Sequence, residues 1–324
     1  MPQFSSDILA TTMNVSSGTV ADNINVQSVL YNHLKAKDKV RSKAIVQGVG
    51  FLTHVQRANI TNKGTFYQDS TVTRSYENLL DTAKWPAAYY YGLVEVTLTD
   101  NLENQEKAQY VDMITAKIEA AQNTLIDDIE NDLLTGVGPG SASSSSSKLW
   151  GLSKMIDDTT AVGGINPGTD TYWKSYVEAT AAVLSYAQIL TMLNNCNKYK
   201  SANGGVSLIL VAQDMWEKLQ ALTPVTQMVN PGSASKETKR LADAGLPALE
   251  YMGVPISWSP KIASGVVYAI NGNHYGLNIV PGADFKPQKI ASANAFTEAQ
   301  AFVFGGQVWT DARRTNGKLT GKTP

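Results

Sequence analysis

The sequence predicts an α+β fold built from one long helix, a long hairpin and a mixed sheet. Three observations predict it. Between Asn101 and Leu134 there is no proline or glycine, and apolar residues recur every three or four positions, the period of a single helix face. Short β-branched runs lie before and after that stretch, an order of elements typical of α+β chains. No fixed-period repeat is present.

Taken in order, residues 1–20 are small and polar and read as a flexible arm. A short amphipathic helix is predicted over Val20–Lys37, with Ile24, Val26, Val29, Leu30 and Leu34 on its apolar side. It runs into a basic stretch, Lys35, Lys37, Lys39, Arg41 and Lys43, with Asp38 the one acid among them. That stretch is either a solvated helix end that favours cations or an inward-facing arm near DNA or scaffold. Phe51–Gln56 and Thr71–Tyr76 read as strands. The segment between them carries Asn59, Asn62, Gly64 and Asp69 and reads as the turn-rich tip of a long hairpin. Trp85-Pro86 breaks the pattern, and Tyr90–Leu98 is a further strand with Val94, Val96 and Leu98 on one face.

The long helix places Val111, Ile114, Ile118, Ala121, Leu125, Ile129 and Leu133 on one side. Over residues 101–134 it would be roughly 50 Å long, ending at Thr135-Gly136. Asp127, Asp128, Glu130 and Asp132 sit late on it and read as a solvated face or, alternatively, a divalent cation site. Gly136–Ser147 is a low-complexity surface loop, and Gly163–Gly168 is a turn. Trp173–Asn195 is predicted largely helical, Val206–Val211 a buried strand and Gln213–Leu222 a helix. Thr223–Lys236 reads as an irregular loop. Short strands follow at Ala248–Trp258, interrupted by Gly253 and Pro255, then at Val266–Ile270, Tyr275–Val280 and Phe296–Thr310. A polar basic tail, Arg313–Pro324, closes the chain.

Composition excludes several functions. Lys and Arg total 27 against 28 Asp and Glu, so the chain lacks the basic excess of a dedicated nucleic-acid binder. The single cysteine, Cys196, rules out intrachain disulfides and multi-cysteine metal sites and reads as a small buried apolar residue. Neither a signal peptide nor a membrane span is expected. His33, His54 and His274 have no metal-ligand spacing. Gly136-Val137-Gly138-Pro139-Gly140 follows a helix rather than a strand and lacks the closing Lys-Thr of a phosphate loop; Gly321-Lys322-Thr323 lacks the preceding glycine. There is no GxSxG elbow. Tyr89-Tyr90-Tyr91 and the 6 tryptophans read as core or interface anchors. No catalytic, cofactor-binding or metal-binding residue is assigned, and no cofactor is expected.

Several segments in sequence carry a resemblance. These are the strand-rich region ending at Tyr90–Leu98, the helix closing as Asn123-Thr-Leu-Ile-Asp-Asp-Ile-Glu-Asn-Asp-Leu-Leu-Thr-Gly136, and the loop into Trp150-Gly151-Leu152. Val162-Gly-Gly-Ile165, Trp173, Ala248–Ile256, Val267–Asn271, Val308–Arg314 and Leu319-Thr-Gly321 complete the set. In that order, over roughly residues 20–321, the chain resembles the tailed-bacteriophage major capsid proteins of the Hong Kong 97-like fold.

The resemblance implies an N-terminal arm at 1–45 and an E-loop hairpin with flanking strands at 46–100. It implies a P domain at 101–200 with a spine helix at 101–135, an A domain at 201–287, and a return to the P domain with a C-terminal tail at 288–324. It further implies a non-enzymatic subunit of hexamers and pentamers in an icosahedral shell that encloses double-stranded DNA, with weak non-specific contact to that DNA. A separate scaffolding protein, a portal and decoration proteins would be partners. The location would be the virion capsid, after synthesis in the host bacterial cytoplasm. Encapsulin-type nanocompartment shells share the fold and are the alternative. Some family members cross-link a loop lysine to an asparagine; Lys63 lies near the predicted tip, with no partner asparagine identified.

Overall fold

The computed structural model describes residues 28–46, 49–58, 61–66, 77–97, 113–139, 147–199, 204–222, 249–290 and 297–324. Helix α1 (Val29–Ala36) starts at Ser28, whose Oγ accepts from the Tyr31 amide at 3.2 Å, satisfying one of the donors a helix start leaves unpaired. Its predicted first part, 20–27, lies outside the described residues. Val29, Leu30 and Leu34 are buried. The chain then reverses at Asp38 (φ 57°) into strand β1 (Val40–Ser42).

Strand β2 (Phe51–Gln56) has the predicted bounds. Its described partner is β3 (Leu80–Trp85), antiparallel, with Phe51 opposite Trp85 and Gln56 opposite Leu80. The expected partner, Thr71–Tyr76, lies outside the described residues. Trp85-Pro86, where the pattern breaks, is the end of this strand. The root of this hairpin is fixed in the body: Phe51, Val55, Ala83 and Trp85 are buried. The Trp85 ring lies 6.5 Å from that of Trp173, and the Lys84 amide donates to Gly163 O at 2.9 Å. The far end, 61–66, is exposed throughout.

Strand β4 (Ala88–Thr97) precedes helix α2 (Met113–Thr135); the predicted start of that helix, 101–112, lies outside the described residues. Leu125, Ile129 and Leu133 are buried as the period requires. The helix ends before Gly136, where only glycine fits, since a Cβ would sit 2.3 Å from Leu149 O and 2.4 Å from Asp132 O. The flanks of the low-complexity loop pair as β5 (Val137–Pro139) and β6 (Ser147–Trp150); 140–146 lies outside the described residues. One turn of helix, α3 (Leu152–Met155), and a 3-10 turn at Thr171–Trp173 follow.

The helical expectation for Trp173–Asn195 holds only from Tyr186. Before it run β7 (Tyr176–Glu178) and β8 (Ala182–Val183), which pair in parallel with residues 317–319 and 322–323. Helix α4 (Tyr186–Asn197) begins at a capping box formed by Ser185 and Gln188. Strand β9 (Leu208–Val211) and helix α5 (Gln213–Leu222) match the prediction closely. Thr223–Lys236 lies outside the described residues. Strands β10 (Leu249–Tyr251) and β11 (Val254–Trp258) are joined by a tight turn at Met252 (φ 52°) and Gly253 (φ 78°). Pro255 does not interrupt β11; it sits within it, opposite Glu250.

Strand β12 (Val267–Ile270) is followed by β13 (Tyr275–Ile290) and β14 (Thr297–Thr310). Strand β13 runs ten residues past its predicted end at Val280. Pro281-Gly282 reads as a turn, but two bulges near Asp284, with Gly282 at φ 88° and Phe285 at φ 49°, carry the strand through. The predicted tail is not a tail. A 3-10 turn at Arg313–Thr315 leads to β15 (Gly317–Leu319) and β16 (Lys322–Thr323). Strand β15 lies between β12 and β7, because Leu319 supplies an apolar side chain with no exposure and the polar residues around it find partners.

Two sheets result. The four-stranded sheet has the order β1-β13-β14-β4, and the six-stranded sheet β10-β11-β9-β12-β15-β7. Helix α2 packs across the first: Ile129, Leu133, Leu277, Phe285 and Phe304 line one small gap between them. Helix α4 covers the second so closely that a Cβ on Gly317 would lie 2.7 Å from Cys196 Sγ. Strand β9 is buried along its length, hence its continuous apolar run. Among the described residues no helix is long and apolar enough to cross a membrane.

Candidate functional site

The three histidines occupy different surroundings. His33 is buried, with Nε2 2.9 Å from Ser207 Oγ. His54 and His274, far apart in sequence, line one open cleft of about 620 Å³ between the hairpin and the body, together with Arg57, Tyr172, Tyr199 and Arg314. His274 Nδ1 lies 2.8 Å from Asp311 Oδ1, and His54 Nδ1 3.0 Å from Thr82 Oγ1. An aspartate holding an imidazole is the orienting half of a triad, but among the described residues no serine or cysteine lines this cleft to serve as nucleophile. Among the described residues no three His, Cys, Asp or Glu side chains are grouped as metal ligands. Burial pushes the Cys196 thiol up to about 12, which keeps it a packing residue.

The acidic end of α2 is a solvated face only in part: Asp128 is exposed and Asp127 half-buried. Asp132 is buried; it accepts from Tyr90 OH at 2.8 Å and pairs with Lys148 at 3.1 Å. The Tyr90 oxygen in turn accepts the Leu149 amide at 2.8 Å, and burial beside Asp132 pushes its phenol well above the usual range. Glu130 is buried too. Burial raises its carboxyl, and Lys261, 3.7 Å away, partly offsets this. Lys261 also bonds Asp127. Asp132 ties α2 to β4 and β6, and Asp127 and Glu130 tie it to the loop after β11.

Arg313 is fully buried. Its guanidinium donates to Met155 O (2.8 Å), Thr160 O (3.0 Å), Lys154 O (3.1 Å) and Asp157 O (2.9 Å), and lies 5.9 Å from the Trp173 ring. Burial lowers it to about 10, still charged at neutral pH. Next to it, burial alone would raise Asp157, but the Thr160 hydroxyl, Lys318 and the Thr159 hydroxyl hold it down to about 2 from 3.8. A depressed carboxylate stabilises the fold above its ordinary value and loses that contribution as pH falls through the folded value. The urea midpoint of the chain is therefore expected to fall between pH 4 and pH 2 more steeply than that of Asp157→Asn. Parallel curves for the two would refute this role.

The surface carries the more telling feature. Strand β4 alternates: Ala88 and Val94 are buried and Tyr90 is half-buried toward α2, while Tyr89, Tyr91 and Leu93 are 55%, 75% and 46% exposed. Opposite them in β14 stand the smaller Gly305, Val303 and Ala301, so the three side chains rise above their surroundings. Strand β4 is also an edge strand, whose outer backbone groups are unpaired among the described strands. Phe66, 83% exposed, stands at the far end of the hairpin. The run Tyr89-Tyr90-Tyr91, read as core or interface anchors, divides between a packed side and an exposed side. The buried Asp132, Glu130 and Arg313 were not legible as partnered groups, since their partners are remote in sequence.

No protein-family model matches the sequence, and no curated protein matches it. Solved structures do. The chain is similar to a protein of the cyanophage A-1(L) capsid asymmetric unit, with 14% identity, 95% of this chain and 96% of that chain covered, and a TM-score of 0.71. It is similar to the capsid protein of a native GTA particle at 9% identity, with 98% and 99% covered and a TM-score of 0.63. For Gordonia phage Cozz the values are 11%, 94%, 89% and 0.55. At such identities the likeness is one of fold: the mixed α+β architecture is that of phage capsid structures, as the sequence resemblance implied.

Proposed function

We propose that the chain is a major capsid protein, a structural subunit that assembles into hexamers and pentamers of an icosahedral phage head around double-stranded DNA. One observation carries this reading beyond the fold: an exposed apolar stripe on an edge strand, and a hairpin anchored at its root whose residues 61–66 are exposed. A monomer gains nothing from such surfaces, and a neighbouring copy buries them. In this reading 1–45 is the N-terminal arm, 46–100 the E-loop and its flanking strands, and 101–200 the P domain with its spine helix at 101–135. Residues 201–287 form the A domain, and 288–324 return to the P domain. A separate scaffolding protein and a portal are partners during assembly in the bacterial cytoplasm, and the finished location is the virion.

Electron microscopy of the purified chain tests the reading: closed particles are expected, and a monodisperse monomer at high concentration would overturn it. Deleting Lys63–Phe66 from the exposed tip is expected to leave the thermal midpoint unchanged and to reduce particle yield strongly. Normal particle yield from that deletion would remove the hairpin from the subunit contact.

A further inference from the structure

We propose that the row Lys39, Arg41 and Lys43, with Lys35 and Lys37 behind it, binds the phosphate backbone of double-stranded DNA. The proposal deepens the capsid reading and rests on it for the source of the DNA. Residues 35–43 hold five cations and one acid in a chain whose net charge is −1, so the charge is concentrated there. Among the described residues Lys148, Lys261, Lys318 and Lys322 each hold a carboxylate, and other unpaired cations are scattered singly along the chain. Lys35, Lys39, Arg41 and Lys43 make no ion pair among the described residues.

The end of helix α1 explains part of this pattern. Lys35 and Lys37 sit where a helix terminus favours cations. Lys39, Arg41 and Lys43 lie beyond the helix, in or beside strand β1, and have no such reason. Strand β1 is the edge of its sheet and pairs in parallel with β13 alone among the described strands. Alternate residues of a strand share a side about 6.6 Å apart, close to the rise of two phosphates along a DNA strand, about 6.8 Å. Arg41 Nε donates to Asp38 O at 3.0 Å, and Lys43 Nζ to Leu52 O at 3.1 Å. Those carbonyls orient the two side chains without cancelling their charge.

The same row is poorly built for a protein partner. Between Lys39 and Lys43 the remaining side chains are a half-buried Val40 and an exposed Ser42, and protein interfaces depend on large apolar anchors. Phosphate binding needs only charge and polar donors, and gives weak, salt-sensitive, sequence-independent affinity.

Fluorescence anisotropy of the full chain with a labelled 30-base-pair duplex, over a salt series, tests the proposal. The triple variant Lys39→Gln/Arg41→Gln/Lys43→Gln is expected to reduce the slope of log Kobs against log salt by about 2 to 3, with an unchanged melting curve. The charge-keeping Lys39→Arg/Lys43→Arg variant should retain the full slope. Equal slopes for the triple variant and the parent chain, or no duplex binding by the parent at low salt, would overturn the proposal, as would binding of polyglutamate in place of the duplex. Particle formation is scored on the same preparations. Intact particles with no DNA effect reject this inference alone, whereas absence of particles from the parent chain rejects the capsid reading.

Discussion

Arg313→Ala is expected to destabilise the unassembled chain by on the order of 3–5 kcal/mol, the range for breaking a buried charged network. Four main-chain oxygens, those of Lys154, Met155, Asp157 and Thr160, receive the guanidinium's hydrogen bonds. Removing it leaves buried acceptors unpaired, at about 1–3 kcal/mol each where water cannot reach them. The side chain also fills the space against Trp173. Total stabilities of domains are about 5–15 kcal/mol, so this loss is large. Arg313→Lys keeps the charge but replaces a planar fork by one compact ammonium, and is expected to recover little. Urea titration followed by tryptophan fluorescence measures both variants. A lysine variant with the parent midpoint would mean that charge alone suffices and that the fan of carbonyls is incidental.

The second large effect falls on assembly. Tyr91→Asp/Leu93→Asp is expected to leave the monomer folded and to abolish particles. Both positions face solvent in the isolated chain, so the carboxylates stay hydrated there. If a neighbouring copy covers them, each must be desolvated without a partner, which costs several kcal/mol. Light scattering separates monomer from shell. Normal shells from the double variant would show that this stripe faces solvent in the particle, and the subunit contact would have to be sought elsewhere.

Where structure follows from local residue order, the sequence reading and the fold agree. Phe51–Gln56 and Gln213–Leu222 have their predicted bounds, and Leu125, Ile129 and Leu133 lie on the predicted inner face of the long helix. The strand predicted at Tyr90–Leu98 is likewise present, as Ala88–Thr97. Agreement ends where partners are distant. Leu80–Trp85 has little β-branched content, and it is a strand because Trp85 and Ala83 fill a cavity against Trp173 and Gly163. Tyr176–Glu178 and Ala182–Val183 are strands because residues 317–319 and 322–323 pair with them. Arg313 reads as a soluble tail residue; only the carbonyls at the end of α3 make its burial tolerable. Asp132 reads as a surface acid, and Tyr90 and Lys148 account for its place inside.

The insertion of Gly317–Leu319 between Val267–Ile270 and Tyr176–Glu178 has a consequence for biosynthesis. Ser175 and Arg313, bonded at one end of this junction, are 138 residues apart, and pairings so remote form slowly. A nascent chain still on the ribosome, with translation not yet past Leu319, exposes the apolar flank of β12 and cannot close the sheet. Such intermediates are prone to aggregate. Ribosome-bound chains stalled just before Gly317 should therefore recruit chaperones and be cut by protease within 176–183, while chains extended past Thr323 and clear of the exit tunnel should resist.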